Sequence, residues 1–98
     1  MKHTNNKISD YKKELVDIFS KIGSDKEFVA LFLKDMLTPN EVEILALRWQ
    51  TVKKLNKGET HRNVAGDLGL GISTVTRGSR TLRNKNGGFH KMLNKLGR

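Results

Sequence analysis

Between Pro39 and Asn56 apolar residues fall on too many sides of a helix for it to lie flat on a protein surface. Val42, Ile44, Leu45, Ala46, Leu47, Trp49, Val52 and Leu55 cannot share one stripe at 3.6 residues per turn, so more than one face has to be covered. A chain of 98 residues, 36% hydrophobic, has little else with which to wrap such a rod. The pattern therefore predicts a central helix covered partly by a second copy of the chain, an interlocked homodimer. Cover by the chain's own neighbours is the plainer alternative.

The flanking segments read as helices with identifiable starts and stops. Ile8, Tyr11, Leu15, Ile18, Phe19 and Ile22 recur at helical spacing and predict a helix over 9–21, ended by Gly23. Ser24-Asp25-Lys26-Glu27 reads as a capping box with the serine as cap, opening a second helix. Thr38-Pro39-Asn40-Glu41 repeats the device, with proline at the first helical position of the central rod. Lys57-Gly58 ends that rod, Thr60 caps a helix over 61–68, a further helix runs from Ile72 to about Arg83, and Phe89, Met92, Leu93 and Leu96 mark a short last one. The whole is a single all-α domain over 1–98 with six helices and no convincing strand.

Charge singles out the second half. Residues 51–98 hold six Lys and five Arg against Glu59 and Asp67, and carry the entire formal charge of +9. An excess confined to one half points to a polyanion, double-stranded DNA above all. The absence of cysteine removes disulfides and thiolate zinc sites and fits a reducing cytoplasm. No apolar run reaches membrane-spanning length, so no membrane partner is expected, and the start MKHTNNKISDYKK lacks a signal-peptide core. His3, His61 and His90 have no metal-ligand spacing, and no catalytic constellation of nucleophile and base or of paired carboxylates stands out. Neither an enzyme nor a metal protein is expected.

Residues 60–84 have the ingredients of a helix-turn-helix. Ala65 is small where a second helix crosses, Gly69 suits the turn, and Val75 is a branched residue facing back, with Val64, Leu68 and Ile72 filling the interface. The second helix divides into three sectors. Ile72, Val75, Ser79 and Leu82 are expected to pack inward. Ser73, Thr76, Arg80 and Arg83 combine hydroxyls with guanidinium forks, as a DNA groove requires. Thr74, Arg77, Gly78 and Thr81 form a third flank, where a glycine costing about 1 kcal/mol in mid-helix either bares the backbone to a small carboxylate ligand or is a surface glycine that the helix tolerates.

Leu37-Thr38-Pro39-x-Glu41, Arg48, Gly58-Glu59 and the block Gly71-Ile72-Ser73-Thr74-Val75-Thr76-Arg77-Gly78-Ser79-x-x-Leu82 closely resemble the bacterial tryptophan repressor family over about residues 28–96. The resemblance implies an intertwined homodimer that binds operator DNA with L-tryptophan as corepressor, and no other cofactor. It implies that Arg48 and Arg77 sandwich the indole, that Arg77 and Thr38 hold the carboxylate, and that Gly78 leaves room for the ring. The ammonium would meet carbonyls near Asp35 and Leu37 and the hydroxyl of Thr81. DNA contacts are expected from Arg62, Ser73, Thr76, Ser79, Arg80 and Arg83. The sequence departs from the family pattern in a stretch one residue shorter between Glu59 and Leu68. It also departs at Ala65, where a basic residue is frequent, at Arg80 for an uncharged residue, at Thr81 for serine, and at Asp35 for an apolar residue. The residues leave open a relative that responds to another ligand or to none, and a nonspecific basic DNA-binding protein.

Overall fold

The structure, a computed structural model, describes residues 5–97. Six α-helices and no strand occur among the described residues: α1 Asn5–Ile22, α2 Lys26–Met36, α3 Pro39–Asn56, α4 His61–Leu68, α5 Ile72–Leu82 and α6 Gly88–Lys95. The chain divides into two compact units, Met1–Thr38 and Pro39–Arg98. His3 lies outside the described residues.

In the first unit, α1 starts four residues before the predicted 9–21, because nothing between Asn5 and Ser9 breaks a helix. It stops at Gly23, whose φ of 70° is a left-handed conformation that costs a glycine little. The cap of α2 corrects the sequence reading. Asp25, not Ser24, adopts the extended backbone of an N-cap, and its carboxylate accepts from the Phe28 amide at 3.1 Å. Phe19 and Phe32 meet edge to face, with ring centroids 5.2 Å apart, and Ile22 is buried. Tyr11, Leu15, Val16, Phe28 and Leu31 remain exposed.

The second unit is built on α3, against which α4 and α5 both pack; α4 also packs on α5, and α5 on α6. Its centre consists of Val52 from α3, Val64 from α4, Val75 from α5 and Leu93 from α6. Each comes from a different helix, so burial of four side chains ties four elements together. Thr60 caps α4 by accepting from the Asn63 amide at 3.1 Å. Gly69, at φ 66°, makes the turn into α5 that the helix-turn-helix reading requires. Ile72 departs from that reading. As the first residue of α5 it precedes the crossing with α4 and is 54% exposed, while Val75, one turn later, is fully buried.

An ionic tether supplements this core. Lys54 Nζ, near the end of α3, donates to Asp67 Oδ2 on α4 at 2.7 Å and lies 3.9 Å from Glu59 Oε2. The hydrogen bond to Asp67 raises the Lys54 pKa, partial burial opposes this, and the charges of Asp67 and Glu59 add to the rise. A raised lysine contributes its full stabilisation below the ordinary lysine value and loses it only as pH climbs through the raised one. The tether is thus constant through neutral pH. Asp67→Asn is expected to lower the urea midpoint slightly and to speed amide exchange in α4, and concentrated salt should erase both differences.

Candidate ligand cleft and nucleic-acid face

Helical spacing on two crossing rods creates a cleft within the second unit. On α3, Ile44, Leu47, Arg48 and Thr51 fall at i, i+3, i+4 and i+7 and so share one face. On α5, Thr74, Arg77, Gly78 and Thr81 repeat that spacing. The two faces line a cleft of ≈ 550 Å³, to which Leu70 from the turn and Phe89 from α6 also contribute. The third flank of the second helix, set apart in the sequence by its glycine, is therefore the wall of a hollow.

The only charged side chains lining the hollow are Arg48 and Arg77, both exposed. Two guanidinium planes among Leu47, Leu70 and Phe89 suit a flat apolar ligand bearing a carboxylate, because guanidinium stacks on aromatic faces and pairs bidentately with carboxylates. The Thr81 hydroxyl donates to the Arg77 carbonyl at 3.2 Å. Its proton is thereby engaged, and its oxygen is left as an acceptor suited to an ammonium.

Gly78 has a second reason to be glycine. A Cβ at this position would stand 3.1 Å from Thr51 Cγ2, closer than side chains ordinarily approach. Thr51 cannot easily give way, since it is buried and its hydroxyl donates to the Leu47 carbonyl at 2.9 Å. The bare backbone patch therefore serves the crossing of α3 and α5 as well as the floor of the cleft.

Sequence reasoning reached Arg48, Arg77, Gly78 and Thr81, and the structure gathers all four. It missed Ile44, Leu47 and Thr51, which the spacing from Arg48 would have revealed on a helical wheel. Leu70 and Phe89 carry no such signal, because a turn and a loop separate them from the two rods. Trp49 is half-buried, with its ring 6.3 Å from that of Phe89 and tilted 47° to it. Asp35, Leu37 and Thr38 stand at the end of the first unit: Asp35 and Thr38 are exposed, and the Leu37 amide closes α2 by donating to the Leu33 carbonyl at 2.9 Å.

The residues expected to meet DNA differ in exposure. Arg62, Ser73, Arg80 and Arg83 are exposed, and Thr76 is half-buried. The Thr76 hydroxyl donates to the Ile72 carbonyl at 2.9 Å, which leaves its oxygen to accept rather than donate. Ser79 is half-buried and lines a different hollow, on another flank of α5 together with Leu82 and Arg83. No group of His, Asp or Glu among the described residues is arranged to hold a metal ion, and no described helix is long and apolar enough to cross a membrane.

Comparison with known proteins gives a consistent answer. Residues 12–97 match the family described as Trp repressor protein. A Trp operon repressor homolog of Vibrio vulnificus is 36% identical over 85 residues, covering 86% of this chain and 82% of the relative. A Trp operon repressor homolog of Vibrio atlanticus is 38% identical over 74 residues, which is 74% of each chain. A Bacillus subtilis relative described as uncharacterized protein YerC is 30% identical over 86 residues, covering 86% of this chain and 83% of its own length.

Proposed function

This chain belongs to the Trp repressor family of DNA-binding regulators, which is not a family of enzymes, and on that premise we propose that it represses transcription when L-tryptophan fills the cleft between α3 and α5. The observation that carries the proposal is the pairing of Arg48 and Arg77, from opposite walls, around a hollow floored by Gly78. The indole lies between the guanidinium groups, the carboxylate pairs with Arg77, and the Thr81 oxygen accepts from the ammonium. A ligand wedged there fixes the angle of α5 on α3. It favours DNA binding because it binds the competent arrangement better than the loose one; equal affinity for both would shift nothing.

The same reading makes the protein a homodimer. Ile44 and Leu45 on the central rod stay exposed in the single chain, as do Leu15, Val16 and Leu31 in the first unit and Met92 and Leu96 at the end of the second. Exposed apolar side chains on each unit of so small a chain call for a partner, and a two-fold dimer sets its reading helices one turn of DNA apart, about 34 Å. Sedimentation equilibrium tests this, with a monomeric mass at micromolar concentration as the contrary result. The regulated genes are then those of tryptophan synthesis or uptake.

The test of function is titration calorimetry with L-tryptophan, paired with fluorescence anisotropy on operator duplex with and without it. The proposal expects heat of binding and tighter operator binding; millimolar L-tryptophan producing neither would overturn it. Arg80, one turn on from Arg77, does not line the cleft. Arg80→Ala should therefore weaken operator binding by about 1–3 kcal/mol, the usual worth of an arginine–base pair, and leave the heat of tryptophan binding unchanged. Loss of tryptophan binding in Arg80→Ala would contradict the separation of the two flanks.

A further inference from the structure

We propose that Asn86 is a site of spontaneous modification, its side-chain amide converted to an acid through a ring closed on the backbone nitrogen of Gly87, and that Asn84 sets the rate. An asparagine followed by glycine favours this closure, because the attacking nitrogen has no Cβ beside it and the backbone there turns freely. No other asparagine of the chain precedes a glycine. Asn86 is exposed, in the loop between α5 and α6. In the reaction the Gly87 nitrogen gives up its proton and bonds to Asn86 Cγ, the Cγ–Nδ2 bond breaks, and ammonia leaves. Water then opens the cyclic imide at one carbonyl or the other, leaving aspartate or its isomer, isoaspartate, in which the main chain runs through the side chain.

The native turn holds the nucleophile back. The Gly87 amide donates to the Asn84 carbonyl at 2.9 Å, and the Asn86 amide donates to Asn84 Oδ1 at 3.1 Å. Asn84 is itself tied to the end of α5, its amide donating to the Thr81 carbonyl at 3.2 Å. A hydrogen-bonded amide proton is not free to leave, so the ring closes only when this turn opens. The same turn explains the glycine: a Cβ at 87 would stand 3.1 Å from the Asn84 carbonyl oxygen and 3.3 Å from Asn84 Nδ2. Tight closure of the turn and lability of the Asn86-Gly87 junction thus have one origin. The acid places a carboxylate beside Lys85, and the isomer lengthens the main chain directly ahead of α6, which carries Phe89 and Leu93. The inference is independent of the corepressor reading, since neither ligand nor DNA takes part in any step.

The test incubates the folded full chain in neutral and in mildly alkaline buffer, digests samples over time, and follows the peptide holding Asn86 by mass spectrometry and by enzymatic methylation of isoaspartate. Acid forms should accumulate at Asn86 ahead of every other asparagine, and faster in the alkaline buffer, because the nitrogen attacks without its proton. Asn84→Ala deletes the acceptor that fastens the turn. At unchanged helix content by circular dichroism it should speed conversion about fivefold, the worth of one ordinary hydrogen bond. Asn84→Asp keeps an acceptor at that place and should return the rate to near that of the parent. Conversion at Asn86 no faster than at the other asparagines, or a rate that Asn84→Ala leaves unchanged, overturns the proposal.

Discussion

Arg77→Ala is expected to remove most of the affinity for L-tryptophan while leaving the fold intact. Arg77 is exposed on α5 and no buried contact depends on it, so its truncation should change the unfolding midpoint little. Under the proposed function it supplies a charge-assisted pair to the carboxylate, worth about 1.5–3 kcal/mol, and half of the guanidinium sandwich, worth about another 0.5–2. Together these correspond to a loss on the order of a hundredfold in calorimetry. Operator binding should then cease to respond to L-tryptophan. Arg48→Ala should lose the stacking but keep the carboxylate pair, and so fall less. If the two variants lose affinity equally, the carboxylate is not where the proposal puts it.

Leu93→Ala should be the most destabilising of the single substitutions considered. Leu93 is the one deeply buried side chain of α6, 2% exposed, and α6 packs on α5. Truncating a buried leucine costs about 2–5 kcal/mol, through lost burial and the cavity left behind. That is a large part of the margin of a small domain, about 5–15 kcal/mol. Urea unfolding followed by circular dichroism measures it; a change under about 1 kcal/mol would mean that α6 is held elsewhere. Because α6 also brings Phe89 to the cleft between α3 and α5, this variant should, under the proposed function, bind L-tryptophan more weakly even where it is fully folded. Phe89→Ala should show the ligand defect with a smaller loss of stability.

Most of the helical architecture was legible in the sequence, because its punctuation is chemical and local. Thr38-Pro39, Thr60 and Gly69 announce a helix start or stop by a hydroxyl, a ring or an absent Cβ, and α3, α4 and the turn into α5 fall where they say. Ser24 misled by one residue because Asp25 beside it has the stronger acceptor and the right backbone. Ile72 misled because a helical wheel gives the direction of a side chain but not where along the axis a neighbour begins. The cleft was half legible for a related reason. Arg77, Gly78 and Thr81 share a flank by spacing alone, whereas Leu70 and Phe89 arrive by way of a turn and a loop whose course no periodicity encodes. The hollow around Ser79 escaped notice because residues from α3 through α6 and the loops between them build it.

The contact between Thr51 and Gly78 couples two properties that a protein engineer would prefer to adjust one at a time. Under the proposed function, reshaping the cleft by placing a side chain at 78 would push α5 away from α3 and so alter the angle at which α5 meets DNA. A change of corepressor chemistry at this position would therefore carry a change in DNA binding with it, unless Thr51 is first reduced to serine to take up the added methyl group.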